Sequence, residues 1–434
     1  MALEGRRVLF ISYNGLLDPL GQSQVLPYLR ALSKLGLQFT ILSFERARAF
    51  YGNGQTRRDE LQATLAAEAI DWHYLRYHQT PSLPATAFDV VNGIRVARRL
   101  VRTKQIELVH ARSHIPATIA LALKRRFGVK LIFDVRGLMA DEYVDAGHWQ
   151  QGSIPYRLTK TMERRALEQA DGIVTLTERI WPIIEQWDVV ARRSEVAHEV
   201  VPCCADLDLF QFSAADRRQR REELGLSDRF VIVYSGSIDG WYLTGEMADF
   251  FAEVIKHKPE AHLLWLTPSR HERIRSLMSE RGLGESSYSV LAADSTEVAS
   301  YLSASDAGLA FIKPCFSKLA SSPTKYAEYL GCGLPLIINS GIGDSDALIT
   351  AEGVGALVTE FSEQEYARAM KAVVALVENR PETQALTRAV AERLFDVRKV
   401  GGERYRGLYE RVLGGEFPDV VGDVPLDTST LSHL

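Results

Sequence analysis

The sequence predicts an α/β protein made of two doubly wound, Rossmann-like domains that face each other across a cleft. Short apolar runs alternate with stretches of helical periodicity along nearly the whole chain, as expected for parallel sheets covered by helices. The alternation occurs as two series of similar length, and 434 residues suffice for two domains. With 46% hydrophobic and 24% charged residues, the composition excludes a mostly disordered or collagen-like chain.

The first series predicts an N-terminal domain over residues 1–205. Strands are expected at 7–11, 39–44, 70–75, 108–111, 130–133 and 172–175. Helices are expected between them at 23–35, 90–104, 118–127 and 156–169. The series ends near Pro202, in a polar stretch that places the boundary around 200–216.

The second series predicts a C-terminal domain over residues 206–398. Strands are expected at 230–234, 261–266, 288–291, 307–312, 334–339 and 356–358. Helices are expected at 246–256, 269–281, 297–303, 323–330 and 363–377. Residues 399–434 are predicted to form a last helix, 399–412, and a loosely attached tail.

Charge and cysteine content limit the kinds of site and partner that the chain could have. None of the four cysteines lies in a metal-binding spacing, and no uninterrupted run of about 20 apolar residues occurs, so we expect no metal site, no membrane span and a cytoplasmic protein. The net charge of −4 divides unevenly, with 27 Lys and Arg against 21 Asp and Glu in residues 1–200 and 24 against 34 in the rest. A pI near 6.2 without a recognition motif argues against a nucleic-acid partner.

Basic residues cluster on the predicted helices of the first half. Two interpretations stay open for them: ordinary solvated helix surfaces, or a surface that lies on the anionic inner face of the cell membrane. The clusters are Arg95, Arg98, Arg99, Arg102 and Lys104; Lys124, Arg125 and Arg126; and Arg164 and Arg165.

The most informative segment follows the predicted strand 307–312. In open α/β sheets, ligands bind beyond the carboxyl ends of the strands. Here Ser322 precedes Pro323, which predicts an N-capping serine with proline at the first helical position. Such a helix start, with Thr324 and Lys325 in its first turn, is suited to bind phosphate, and Glu328 one turn later could accept hydrogen bonds from a sugar diol. Taken alone, the same pattern is also common on ordinary surface helices.

This segment resembles a known family. The run Ser-Pro-Thr-Lys-Tyr-x-Glu-Tyr-Leu-x-Cys-Gly-Leu-Pro-Leu-Ile, residues 322–337, resembles the donor-binding segment of retaining glycosyltransferases of the GT-B fold, family 4. The stretches 170–178, 201–210 and 233–237 are similar to further segments of that family, and they occur in the same order. The resemblance spans roughly residues 7–410.

The resemblance implies a nucleotide diphosphate sugar bound mainly by the second domain, with no cofactor or metal strictly required. Glu328 would hold the ribose hydroxyls, and Thr324 and Lys325 would hold the diphosphate. The remaining donor-binding candidates are Ser322 and Pro323 at the helix start, Gly236 and Ser237 in the glycine turn, Gly21 in the first domain and Glu297 facing the base.

Two positions depart from the family pattern. Ala320 stands where the family has the first Glu of its E-x7-E motif, and no Arg or Lys follows Gly236 to neutralise the leaving diphosphate. Lys313, Lys318, Arg270 and Lys325 are candidate replacements, and Lys325 is favoured as a catalytic residue.

The first domain is expected to contribute one further catalytic residue and to bind the acceptor. Arg136 stands where the family often places a His, and it could clamp a phosphate or sugar from across the cleft; the alternative is a capping or domain-interface Arg. Asp141, Glu142, His114 and Trp149 are the acceptor-binding candidates; the alternatives are an ordinary solvated loop for Asp141, Glu142 and Trp149 and a packed, hydrogen-bonded histidine for His114, which is the favoured interpretation of that residue.

The expected function is therefore transfer of a sugar from a nucleotide diphosphate sugar to the hydroxyl of a sugar, lipid-linked or other acceptor. We expect retention of configuration and a role in bacterial polysaccharide, glycolipid or glycoconjugate synthesis. Two alternatives stay open: a nucleotide-sugar 2-epimerase on the same fold, and a degenerate, non-catalytic GT-B protein that acts as a binding partner.

Overall fold

The computed structural model describes residues 3–80, 82–193, 196–268 and 270–414. Two parallel sheets form its framework, which confirms the predicted class. The first has seven strands in the order β3-β2-β1-β4-β5-β6-β7, and the second has six in the order β10-β9-β8-β11-β12-β13. In each sheet the order reverses beside the first strand of the series, where doubly wound folds bind ligands.

The strands of the first sheet are β1 (Arg7–Ser12), β2 (Gln38–Glu45), β3 (Asp71–Arg76), β4 (Leu108–Arg112), β5 (Lys130–Asp134), β6 (Gly172–Thr175) and β7 (Ala197–Val200). Those of the second sheet are β8 (Phe230–Ser235), β9 (Ala261–Leu266), β10 (Tyr288–Leu291), β11 (Ala307–Ala310), β12 (Leu336–Asn339) and β13 (Gly355–Val358). Among the strands, sequence patterning missed only β7, an edge strand with the sequence Ala-His-Glu-Val, which carries little apolar signal.

Helices cover both sheets. Those of the first series are α1 (Pro19–Gln24), α2 (Leu26–Ser33), α3 (Gly52–Ala67), α4 (Ser82–Lys104), α5 (His114–Phe127), α6 (Met139–Asp145), α7 (Ile154–Gln169), α8 (Trp181–Glu185) and α9 (Asp188–Ala191). Those of the second are α10 (Ala214–Leu224), α11 (Thr244–His257), α12 (His271–Glu280), α13 (Val298–Ala304), α14 (Thr324–Gly331), α15 (Ser345–Glu352), α16 (Glu363–Glu378), α17 (Arg380–Leu394) and α18 (Glu403–Leu413).

The predicted helix 23–35 is two helices instead of one. The chain leaves helical geometry at Val25, with φ −126° and ψ −64°, and Pro27 lies in the first turn of α2. Proline lacks the N–H that a continuous helix would need at this point, so a new helix starts there.

The last helix crosses back to the first domain. A π-helical turn, Val397–Gly402, replaces the first part of the predicted helix 399–412, and α18 then packs against the first sheet. Tyr405 and Tyr409 are buried there beside His110 of β4. The predicted domain boundary at 205/206 falls between β7 and α10 and stays a prediction, and the predicted tail lies largely outside the described residues.

Close packing of α14 against the second sheet depends on a glycine. Gly308 lies in β11, and a Cβ atom there would overlap the ring of Tyr329, which is fully buried. Since α14 carries Thr324, Lys325 and Glu328, this contact determines how closely these residues approach the second sheet.

We therefore expect Gly308→Ala to lower the free energy of unfolding by ~1–3 kcal/mol, because the added carbon would force the fully buried ring of Tyr329 to shift. Urea denaturation followed by circular dichroism measures this. Gly284→Ala is the matched control: its φ is −72° and the nearest atom to the added carbon lies 3.9 Å away. Equal midpoints for the two variants would show that the contact is not needed.

Candidate active site

A cavity of about 390 Å³ lies between the two domains, at the carboxyl ends of the strands. The first domain lines it with Asn14, Leu20, Gln24, Arg112, Ser113, Arg136, Leu176 and Cys203, and the second with Trp241, Tyr242, Ile312, Lys318, Ser321, Ser322, Pro323 and Thr324. These lining residues include three cations and no carboxylate. The cavity is thus suited to an anionic ligand.

Two arginines stand on the first-domain wall. Arg112 ends β4 and donates from Nη1 to Oδ1 of Asn14 at 3.1 Å. Arg136 follows β5, and its guanidinium contacts Sγ of Cys203 at 3.2 Å and Oδ1 of Asp134 at 3.6 Å. The predicted position of Arg136 in the cleft agrees with the structure, whereas sequence reasoning did not single out Arg112. The available signal was an arginine directly at the end of a predicted strand.

Asp134 supports this wall from below. Its buried carboxylate accepts a hydrogen bond from the Tyr405 hydroxyl at 3.0 Å and lies 3.4 Å from Nε2 of His110. The other ring nitrogen of His110 bonds the Tyr409 hydroxyl at 2.6 Å. Burial opposes the ionisation of Asp134, but the charge of Arg136 and the contact with His110 hold its pKa at about 2. The C-terminal helix therefore helps to position the carboxylate of Asp134, which stays ionised beside Arg136.

The start of α14 forms part of the opposite wall, and its capping differs from the prediction. Pro323, instead of Ser322, occupies the N-cap position, and no side chain caps the helix. The Ser322 hydroxyl instead accepts a hydrogen bond from the backbone N–H of Cys203 at 3.0 Å, across the domain interface. The side chain that the sequence assigns to the helix thus joins the two domains, because the segment after β7 passes within its reach.

Lys325 is buried behind this wall. Its Nζ lies 3.8 Å from the ring centroid of Tyr242, which lines the cavity, and 4.3 Å from that of Tyr234. The ammonium has no hydrogen-bond partner among the described residues. Gly236, with φ +136°, leaves the space in front of it, since a Cβ there would lie 3.1 Å from Nζ. Lys325 is placed so that a ligand at the glycine turn could supply its missing partner.

Burial also governs ionisation of Lys325 and of Glu328, one turn later. Burial lowers the pKa of Lys325 to about 7, against the opposing effect of the Glu328 charge. Burial raises the pKa of Glu328 to about 7, against the opposing effect of Lys325. Strongly perturbed groups beside a cleft are typical of functional sites.

The other predicted donor residues have different surroundings. Ser237 is exposed, and its carbonyl accepts a hydrogen bond from the Tyr234 hydroxyl. Gly21 lies in α1, where a Cβ would overlap the carbonyl oxygen of Gly15, so packing explains this glycine. Glu297 forms an ion pair with Arg220 at 3.0 Å and does not line the cavity.

None of the predicted acceptor residues lines the cavity, and their role stays a prediction. Asp141 pairs with Lys160 at 3.1 Å, and Trp149 stacks on Tyr143 with ring centroids 4.3 Å apart. His114 is buried and bonds Oε2 of Glu163 at 2.8 Å, while Glu142 forms an ion pair with Lys318 of the second domain at 2.9 Å.

The remaining candidate cations already have partners, although Lys318 also lines the cavity. Lys313 donates to the carbonyl of Asp145 at 2.9 Å, and Arg270 pairs with Asp239 at 3.0 Å. Lys318 stands over the Trp241 ring at 3.8 Å in addition to its pair with Glu142.

Across the described ranges, no group of three or more His, Cys, Asp or Glu is arranged to hold a metal ion. In that same part of the chain, no helix is long and apolar enough to cross a membrane. The expectation that no metal or cofactor is required stays a prediction.

Comparison with known proteins relates the first domain to a family and the whole chain to a fold. Residues 21–204 match the Glycosyl transferase 4-like domain family. Sucrose-phosphate synthase from Thermosynechococcus elongatus is similar with a TM-score of 0.69 at 16% identity, over 93% of this chain and 99% of that one. A glycosyltransferase from Rickettsia africae gives 0.70 at 14% identity, over 95% and 99%. HepE from Anabaena, solved with UDP and glucose, gives 0.67 at 16%, over 93% and 99%. A comparison with curated protein sequences finds no match.

We expect Lys325→Met to stabilise the unliganded protein. Below about pH 7 the folded protein holds a buried ammonium without a hydrogen-bond partner, and replacing it with an apolar side chain should raise the free energy of unfolding by ~1–3 kcal/mol at pH 6. Between pH 7, the approximate pKa of Lys325 in the folded protein, and pH 10.5, its usual pKa, only the unfolded chain keeps this proton. The destabilisation caused by Lys325 therefore decreases as the pH rises through this range.

Urea denaturation at pH 6 and pH 9 measures both effects. Lys371→Met, on the exposed side of α16, is the control and should change stability little at either pH. A loss of stability for Lys325→Met at pH 6 would contradict the prediction.

Proposed function

We propose that this chain, a glycosyltransferase with the GT-B fold, moves a sugar from a nucleotide diphosphate sugar to an acceptor hydroxyl with retention of configuration. The observation that carries the proposal is the charge of the cleft. Cations from both domains line it without any carboxylate, and the buried Lys325 ammonium behind it lacks a partner. A diphosphate would supply the missing negative charge.

The donor is proposed to lie against the second domain. Its diphosphate would occupy the space between the Gly236 turn and the start of α14, where Thr324 lines the cavity and Lys325 lies just beneath. Glu328, on the same helix, would accept hydrogen bonds from the ribose hydroxyls. UDP is the favoured nucleotide, since the Anabaena protein with the same fold was solved with UDP and glucose.

Retention is supported by what the cavity wall contains. An inverting transfer needs a base to take the acceptor proton from the far side, and no Asp, Glu or His is among the cavity-lining residues. In a same-face reaction the bond from sugar C1 to the phosphate oxygen breaks and its electron pair stays on that oxygen. The acceptor oxygen bonds to C1 on the same face, and its proton passes to the phosphate oxygen. The protein's part is to orient both substrates and to neutralise the departing diphosphate.

We expect Lys325→Met and Glu328→Gln each to weaken binding of UDP at least tenfold in isothermal titration calorimetry, because each removes a charged hydrogen-bonding group from the donor site. Arg157→Met, which alters an exposed residue of α7, is the matched control. The nucleotide sugar that gives the strongest binding is then tested for transfer, and NMR of the product reports its anomeric configuration.

Three outcomes would contradict the proposal. Wild-type affinity in both variants would refute the donor site. An inverted product would refute retention, and a 2-epimer formed from donor alone would favour the epimerase. A wild-type protein that binds no nucleoside diphosphate would favour the non-catalytic alternative.

We also propose that the first domain associates peripherally with anionic membrane, where lipid-linked acceptors of bacterial polysaccharide or glycolipid synthesis would be found. Helix α5 packs between α4 and α7, so the three helices share one face of the sheet. That face carries the basic clusters described above together with apolar side chains that are 37–69% exposed, namely Leu83, Phe88 and Val91 on α4 and Ile154, Leu158 and Met162 on α7. Basic residues beside exposed apolar ones suit an anionic lipid surface.

Vesicle flotation tests this association. The wild type should float with vesicles containing phosphatidylglycerol and not with phosphatidylcholine alone, and the double variant Ile154→Ser/Leu158→Ser should lose most of this binding. Leu386→Ser, which removes an exposed leucine of the second domain, should bind as the wild type does. Equal flotation of the double variant would count against this face.

A further inference from the structure

The charge that meets the leaving diphosphate has no evident source in the second domain. After the Gly236 turn the chain continues with Ser, Ile and Asp, and the Asp239 carboxylate is itself paired with Arg270. Lys313 is bound to a carbonyl of the first domain, and Lys318 is paired with Glu142. Lys325 is the sole remaining candidate there among the described residues, and burial lowers its pKa to about 7.

In the first domain, by contrast, two positive charges line the cavity and only one carboxylate lies near them. Arg112 and Arg136 both line the cavity, and Asp134 is the carboxylate that acts on both of them. Asp134 lies 3.6 Å from Arg136, and Arg112 forms no ion pair with any described carboxylate. Arg112 is only 6% exposed, and its Nε has no hydrogen-bond partner. A buried, unpaired guanidinium is destabilising, so its counter-charge is expected to arrive with a ligand.

The backbone beside Arg112 is also held in an unfavourable conformation. Ser113 has φ +74° and ψ −178°, a region used almost only by glycine, and its N–H donates to the Asp134 carbonyl at 2.9 Å. The Asn14 side chain, from the loop after β1, fixes the guanidinium from the other side. Three neighbouring strand ends thus aim Arg112 at the cavity.

We propose that Arg112 is a catalytic residue that, together with Arg136, stabilises the departing diphosphate from the domain opposite the donor. This inference rests on the proposed function. As the bond from sugar C1 to the phosphate oxygen breaks, the electron pair moves onto that oxygen, and the two guanidiniums neutralise the added charge. They take the place of the cations that the family pattern puts after the glycine turn.

The test uses hydrolysis of the donor by water, because this reaction needs no acceptor. The probe is whichever of UDP-glucose, UDP-N-acetylglucosamine and GDP-mannose the wild type hydrolyses fastest. Arg112→Met should lower kcat for hydrolysis by about 10²–10³-fold and lower transfer by the same factor. The KM should change only a few-fold, because the added charge develops mainly in the transition state. Arg112→Lys should recover part of the rate.

A binding measurement gives an independent readout. The free nucleoside diphosphate carries more negative charge than its sugar ester, so it mimics the leaving group. In calorimetry, Arg112→Met should therefore weaken binding of the nucleoside diphosphate more than binding of the nucleotide sugar, whereas Arg157→Met should leave both affinities unchanged. Thermal unfolding should show that Arg112→Met folds at least as stably as the wild type, since it removes an unpaired buried charge.

Several results would overturn the inference. If the Arg112→Met variant hydrolyses the donor at the wild-type rate but transfers more slowly, Arg112 binds the acceptor. If its KM rises with kcat unchanged, Arg112 binds the donor equally in the ground state and the transition state. A wild-type protein that neither binds nor hydrolyses any nucleotide sugar would refute the proposed function and this inference with it. An active wild type with an equally active Arg112→Met variant would refute the inference alone.

Discussion

The arrangement of the cleft depends on one buried carboxylate, that of Asp134. It lies at the end of β5 and is contacted by the hydroxyl of Tyr405, the ring of His110 and the guanidinium of Arg136. Burial alone would favour the neutral acid, and the charge of Arg136, the contact with His110 and the charge of Arg112 lower its pKa and keep the group ionised. Because Tyr405 belongs to the last helix, a helix from the end of the described chain contributes to the environment of an arginine in the first domain.

Positive charge without a matched counter-charge is the second feature of the site. Lys325 and Arg112 come from opposite domains, and each is buried with at least one nitrogen that has no partner. Folding alone would favour an apolar side chain at either position. Arg112 instead lines the cavity and Lys325 lies just behind its wall, and such sites are where stability is commonly given up for binding and catalysis.

The fold class and most elements could be predicted from sequence because apolar periodicity reports directly on burial. Strand β6, for example, has the predicted bounds. The part of the site on α14 was also predictable, since strand, proline and helix follow one another locally. The roles of Ser322 and Glu142 were not predictable. Both contact the other domain, through Cys203 and Lys318, and no local pattern encodes a partner more than a hundred residues away. Arg112 carried a local signal, since it directly follows a predicted strand, but the sequence does not show that no described carboxylate pairs with it.

The division of charge between the domains has a consequence for the resting enzyme. If the donor lies against the second domain as proposed, the arginines of the first domain assist departure of the sugar only while the two walls face each other. Contacts such as Ser322 with Cys203 and Lys318 with Glu142 hold them in that state. Under the same proposal, a molecule in which the two walls stood apart would keep the donor away from these charges, and hydrolysis of the activated sugar by water would slow.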